Sequence, residues 1–400
     1  MSVAAGNDIV DTVSKTDERR AAAVACGAHA LHDGYTDLVY IMLPVWQAEF
    51  ALGYAAVGAL RTLSSGTMAA LQIPSGYLSE RIGPPLTLAL GTALAGVGYL
   101  IAGASSGLAM LALALLTVGT GASTQHPLAS SLMARAFAGP RSLKALGTYN
   151  FAGDIGKMVV PASASLLLVA LPWREAVAIL GAVGLLAGIF IYITMPRFAA
   201  VSAAAQAKSA ERDGPVRTRH LAFWTLLVVG MLDSATRMAF LTFLPFVLTA
   251  KGASLPTVGL SLTLVFAGGA AGKLVCAFLG ARIGTIATVW VTEIATAAGI
   301  MALLPLPLDA VLVLLPVIGV ALNGTSSVLY GSVPSLVEPA WRTRAFSIFY
   351  TGTIGSGAVA PALYGLLGDA LGVITALIVV AAMVLINLPL VWVLRPALKD

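Results

Sequence analysis

The stretch Tyr77-Leu78-Ser79-Glu80-Arg81-Ile82-Gly83 returns 201 positions later as Phe278-Leu279-Gly280-Ala281-Arg282-Ile283-Gly284, a short polar turn set twice into an apolar chain. The same offset aligns Leu43-Pro44 with Leu244-Pro245 and Val57-Gly58 with Val258-Gly259. Farther on, Gly121 aligns with Gly324 and Pro161 with Pro361, with small drifts in spacing. A register held this long marks two parallel copies of one unit. In a membrane, such halves are related by an axis along the bilayer normal, and a small-molecule site is expected near the midplane between them.

The composition places that unit in a bilayer. The chain is 58% hydrophobic and 10% charged, with a mean hydropathy of +0.91, far from the roughly 45–50% apolar and ~25% charged of soluble domains. Runs of about 20 or more apolar residues fall at 22–47, 55–80, 85–104, 107–135, 143–170, 173–195, 221–249, 256–281, 284–304, 309–337, 343–368 and 371–394. The expected fold is therefore an all-α integral membrane protein, with twelve transmembrane helices in two pseudo-symmetric six-helix bundles. Residues 1–20 read as a polar N-terminal tail without the features of a secretory signal, 21–195 as the first bundle, and 221–395 as the second. The Pro-, Ala- and charge-rich segment 196–220 lacks apolar periodicity and reads as the linker between them.

Basic residues set the expected orientation. With both termini in the cytoplasm, seventeen of the 23 Lys and Arg residues fall on the inner side, and only Arg174 and Lys251 on the outer; cytoplasmic loops carry this excess. The same topology accounts for the net charge of +5 without a nucleic-acid partner, because the basic residues form no stripe. Cys26 and Cys276 sit in apolar runs and have neither disulfide nor zinc-site context.

Six plus six helices, a central linker and a charged turn after helices 2 and 8 resemble the major facilitator superfamily of secondary transporters. Its signature between helices 2 and 3 is Gly-x-Leu-x-Asp-Arg-x-Gly, read here as Gly76-Tyr77-Leu78-Ser79-Glu80-Arg81-Ile82-Gly83, with Glu80 in place of the Asp and no trailing basic pair. The second copy keeps Arg282 and Gly284 and has Ala281 at the acidic position. The resemblance makes Gly76, Glu80, Arg81, Gly83, Arg282 and Gly284 parts of a latch that holds the cytoplasmic side in the outward-open state. Within the superfamily the first half is similar to the fosmidomycin-resistance type of exporter, through His32-Asp33, Leu43-Pro44, Gln47-Ala48-Glu49-Phe50, and Gly119-Thr120-Gly121-Ala122-Ser123 running into His126-Pro127. Asp154 and Lys157 depart from the uncharged residues expected there in that group.

Charges inside the apolar runs point to function, since each costs roughly 2.5–3.5 kcal/mol at the centre of a membrane helix and so faces a partner or a water-filled path. His29, Asp33 and Asp37 repeat every four residues and share one face of helix 1, with His32 beside it. Asp33 and Asp37, with His32 and His126, are the expected proton carriers; the competing reading pairs the acids permanently with Arg61. A metal on His29, His32 and Asp33 has plausible spacing but supplies only three ligands. Neither a metal nor a cofactor is expected.

Asp154 with Lys157, and Asp233 with Arg237, are spaced to meet along their own helices. Lys273 has no acid within a turn and must find one elsewhere, Glu293 being one option, or await an anionic ligand. Arg61, Lys157, Arg237 and Lys273 together suit a carboxylate, phosphate or phosphonate, with Asp154, Asp233, Asn323 and Tyr330 completing the expected substrate site. Gly147, Gly153 and Gly156, and Gly352, Gly355 and Gly357, read as packing surfaces on which the halves rock.

These features lead to a proton-coupled antiporter of the bacterial inner membrane, a monomer surrounded by lipid, exporting a small anionic or zwitterionic molecule. The alternatives are a proton-coupled symporter importing an organic anion and, of another class, a membrane-embedded enzyme or sensor, for which no protease motif or signalling domain is present.

Overall fold

The computed structural model describes residues 15–137, 140–196, 219–338 and 341–398. Most of the linker therefore lies outside the described residues, as does the tail up to residue 14. Thirteen helices follow: α1 (Lys15–Phe50), α2 (Tyr54–Ile82), α3 (Pro84–Gly103), α4 (Leu108–Ala122), α5 (Gln125–Ala136), α6 (Pro140–Ala170), α7 (Trp173–Thr194), α8 (His220–Ala250), α9 (Leu255–Leu303), α10 (Leu308–Leu336), α11 (Arg342–Leu371), α12 (Val373–Val384) and α13 (Asn387–Val393).

These thirteen helices make the twelve expected crossings. The fourth crossing breaks at Ser123–Thr124 into α4 and α5, α9 contains two crossings joined at Gly284, and the last crossing is α12 with α13. Among the described residues, α3, α7, α8, α9, α10 and most of α6 and α11 are long and apolar enough to span a bilayer, as is 373–393. α1 is long enough too, but its histidines and aspartates dilute its apolar character. Those groups point inward, so the helix does not need to be uniformly apolar.

The duplication is written into the backbone. At the same 201-residue offset, Ala51 (φ 49) matches Gly252 (φ 89), and Gly83 (φ 90) matches Gly284 (φ 83). α2 starts at Tyr54 and α9 at Leu255, and Pro44 and Pro245 lie inside α1 and α8. Each left-handed residue reverses the chain after a helix, where glycine avoids the Cβ clash; Ala51 alone does this with a side chain.

The halves meet along two seams, α2 against α11 and α6 against α9. At the first, Tyr54 and Ala55 donate their backbone N–H groups to Asp369 at 2.6 and 2.9 Å, and Gly58 and Gly365 permit backbone approach to Pro361 and Tyr54. At the second, the Thr263 hydroxyl donates to the Met158 carbonyl at 3.1 Å. Tyr35, Trp46, Phe240, Phe243 and their neighbours fill the end of the molecule nearest Tyr54 with one apolar core that both halves share. That end is sealed.

The glycines expected to form the rocking surface work elsewhere. Gly153 and Gly156 fit α6 against α1, and Gly352 and Gly357 fit α11 against α8, all within one half. Gly147 and Gly355 have open space where a Cβ would stand. Sequence spacing identified helices that need close contact but not which neighbour supplies it.

Candidate functional site

A cavity of about 510 Å³ lies between the halves. α1 supplies Asp33, Asp37 and Tyr40 to its wall, α2 Arg61, α5 His126, and α6 Asp154 and Lys157. From the second half come Asp233 and Arg237 of α8, Lys273 of α9, Asn323 and Tyr330 of α10, and Tyr350 of α11. Eleven of the twelve residues expected at proton and substrate positions therefore share one space. His32 is the exception. Its Nε2 is 2.8 Å from the Thr92 hydroxyl, which itself donates to the Leu88 carbonyl, so His32 donates toward α3 and away from the cavity.

Within the wall, four charges alternate in sign. Lys157 Nζ stands 3.2 Å from Asp33 Oδ2 and 3.9 Å from Asp154 Oδ1. Lys273 reaches across from the other half and donates to both oxygens of Asp154, at 2.7 and 2.6 Å. The partner of Lys273 is thus Asp154 rather than Glu293. Glu293 instead accepts from the Asn387 side chain at 2.8 Å, deep between α9 and α13. The same arrangement alters the expectation for α6, because Asp154 and Lys157 do not neutralise each other alone but belong to a longer run.

Asp33 is held from several sides. His126 Nε2 lies 3.8 Å from Oδ1 and His29 Nε2 3.3 Å from Oδ2. The His29 ring stacks on Tyr149, and its Nδ1 donates to the Tyr149 carbonyl at 2.8 Å. With Nδ1 so used, Nε2 of a neutral ring offers only a lone pair to the carboxylate. Two acceptors this close repel unless a proton is shared between them. Gly153 makes room for the pair, since a Cβ there would stand 2.7 Å from Asp33 Oδ2 and from His29 Cε1.

Ligand atoms of His29, Asp33 and His126 lie within 4.8 Å of one another, which is close enough to share an ion. The Lys157 ammonium already provides the cation beside this carboxylate, and only three ligands are offered. The grouping fits proton exchange better than metal capture.

Arg61 does not make the ion pair of the competing reading. Its Nη2 donates to the Tyr40 hydroxyl at 2.9 Å and its guanidinium lies over the Tyr40 ring, 4.6 Å from the centroid. It is 1% exposed, and Nε and Nη1 have no hydrogen-bond partner. No carboxylate of Asp33 or Asp37 comes within 4.0 Å of it. Asp233 and Arg237 likewise form no ion pair within that limit, although both face the cavity. Buried donors without an acceptor are costly, so the two unpartnered nitrogens of Arg61 leave unmet hydrogen-bonding capacity beside the cavity.

The turn residues occupy the opposite end from the seal. Glu80, Arg81 and Arg282 are exposed, Arg282 lying over the Phe278 ring of its own helix at 4.3 Å. A Cβ on Gly76 or Gly83 would meet nothing within 4 Å. Sequence reading passed over Tyr40, Tyr350 and Thr353 in the wall. Tyr40 follows Asp33 and Asp37 on the same helical stripe and was accessible to that pattern; the α11 residues carry no comparable signal.

Comparison with known proteins agrees with this architecture. The family model of the Major Facilitator Superfamily matches residues 25–232 and 226–400. The fosmidomycin resistance protein of Escherichia coli (strain K12) is 31% identical over 143 residues, which cover 35% of this chain and 34% of that one. A probable sulfoacetate transporter of Cupriavidus necator is 25% identical over 370 residues, covering 84% of this chain and 85% of that one. Among solved structures, a bacterial homolog of the human lysosomal transporter Spinster superposes with a TM-score of 0.79 at 14% identity, covering 96% of this chain and 98% of that one. With the repeat, the twelve crossings and the cavity between the halves, these matches establish that the chain is a multi-pass membrane protein, a transporter and not an enzyme, and that it belongs to the Major Facilitator Superfamily.

Proposed function

We propose that the protein is a proton-coupled antiporter of the bacterial inner membrane, acting as a monomer with both termini in the cytoplasm, that exports a small anionic or zwitterionic organic molecule. The observation that carries the reading is the run Asp33, Lys157, Asp154, Lys273, whose last member belongs to the other half. A proton bound by Asp33 removes the nearest anion from Lys157. Lys157 then turns to Asp154, already within 3.9 Å, and competes with Lys273 for it. Protonation in the first half thereby weakens a contact between the halves. This gives the proton unequal affinity for two conformations, which coupling requires.

His126 borders both the cavity and Asp33 and is placed to pass the proton. Asp37, on the same stripe, adds a second carboxyl to the proton side. Arg61 and Arg237, with Lys273, form the anion-attracting side, while Asn323 and Tyr330 offer hydrogen bonds to the remainder of the substrate. The volume suits a small organic molecule. Export draws support from the 31% identity over 143 residues to a fosmidomycin resistance protein.

A second reading, a symporter importing an organic anion, draws support from the longer match to a probable sulfoacetate transporter. Flux in proteoliposomes under a pH gradient of either sign separates the two directions. Under both readings Asp33→Asn abolishes pH-driven flux while leaving ligand binding measurable. Unchanged proton-driven flux in that variant would remove Asp33 from the mechanism.

A further inference from the structure

The first turn of a helix leaves backbone N–H groups without partners, and a side chain just before the helix usually accepts from one of them. α9 follows this rule: Ser254 accepts from the Thr257 N–H at 3.4 Å. Its counterpart α2 does not, because position 53 is glycine (φ −72, ψ 167) and provides no capping side chain. The missing cap comes from the other half of the protein. Asp369, close to the end of α11, takes the Tyr54 N–H on Oδ1 at 2.6 Å and the Ala55 N–H on Oδ2 at 2.9 Å.

The surroundings fit this exchange. A Cβ at position 53 would lie 2.9 Å from both Asp369 oxygens, so the absent side chain is also what lets the carboxylate in. Gly365 and Gly368 bring α11 against Tyr54 from the same side. The carboxylate adds negative charge at the positive end of the α2 dipole. Asp369 is exposed, so water can replace the contact when it breaks.

We infer that Asp369 is a gating residue of the transport cycle, a helix cap supplied in trans that holds the sealed end of the cavity shut and is released each time that end opens. The repeat gives the reason for its placement. Where α9 is capped within its own half and stays capped in any conformation, α2 is capped only while α2 and α11 touch. The free energy of one helix cap is thereby assigned to the closed state alone.

The test is double electron–electron resonance on the full chain in nanodiscs, with spin labels on Ala48→Cys and Leu371→Cys and with Cys26 and Cys276 replaced by alanine. Asp369→Ala should lower the ratio of short-distance to long-distance populations by roughly fivefold, the effect of losing one cap, and Asp369→Asn, which keeps one acceptor, by less. Gly53→Ser should shift the distances in the same direction by capping α2 from within and crowding out Asp369, with the thermal midpoint held at that of the parent. This second variant preserves the test if Asp369→Ala folds poorly. Distances unchanged in Asp369→Asn and Gly53→Ser would overturn the inference, leaving Asp369 as a static surface contact.

Discussion

Gly58 of α2 lies so close to the Pro361 carbonyl of α11 that no side chain fits between them. Gly156 of α6 has the same relation to the Ala30 carbonyl of α1, but inside one half. The two should respond differently to alanine. Gly156→Ala is expected to lower thermal stability by about 1–3 kcal/mol through overpacking, whichever conformation is populated. Gly58→Ala should leave unfolding closer to the parent and shift the protein toward states open at the Tyr54 end, read as increased thiol labelling of a cysteine placed at Thr36. Equal effects on unfolding, with no gain in labelling, would contradict the assignment of Gly58 to a moving seam.

Removing Lys157 leaves the buried Asp33 without its nearest full charge. For Lys157→Met the expected loss is about 2 kcal/mol, below the ~3–5 of a fully buried pair because the lysine side chain is 30% exposed. Asp33→Asn combined with Lys157→Met should recover stability to within about 1 kcal/mol of the parent, since neither unpaired charge remains. Proton-driven flux should stay absent in both. Additive losses in denaturation experiments would show that the two side chains do not act as a pair.

Arg61→Lys is not conservative here. Lysine keeps the charge but loses the planar donors and the stacking on Tyr40. Binding of organic anions, measured by calorimetry on the purified protein, should weaken at least ~10-fold, or about 1.4 kcal/mol, while lipophilic cations are unaffected. Unchanged anion affinity would place the substrate elsewhere in the cavity.

At the sealed end, Arg174 donates to Glu49 at 2.8 Å and holds its carboxyl below the usual carboxylate range. A lowered folded-state value contributes stability above the ordinary carboxylate pKa, and this stability is lost as pH falls through the lowered one. Parent and Glu49→Gln should therefore differ in thermal midpoint at neutral pH and converge in acid. The difference should be small, because the pair is exposed and screened. A gap that widens on acidification would reverse the sign of the interaction.

Much of this architecture could be read from residues alone because its causes are local. Repeated turns, apolar runs and charge placement follow from chain chemistry, and they located the cavity helices and nearly every charged group in the wall. What they could not supply was azimuth. His32 and Asp33 are neighbours in sequence, yet one faces Thr92 and the other the cavity, and only the packing of α3 against α1 decides between them. Partner choice failed for the same reason. Lys273 could have met several acids, and Asp154 was reached through the α6–α9 seam, which no periodicity encodes. Asp369, in an ordinary helix end with no motif around it, gave no sequence signal as the cap of α2.

α2 is 29 residues long, or about 43 Å at ~1.5 Å per residue, and at one tip Tyr54, Ala55 and Gly58 touch Asp369 and Pro361 of the other half. Turned about its middle by about 10°, such a rod moves each tip by about 4 Å in opposite senses, by the same ~43 Å length. That is far enough to pull Tyr54 and Ala55 off Asp369 while carrying Arg81 inward at the other end. The helix works as a seesaw, and the exchange of one small set of contacts for another at its two tips is what would let a single rigid element report each side of the membrane to the other.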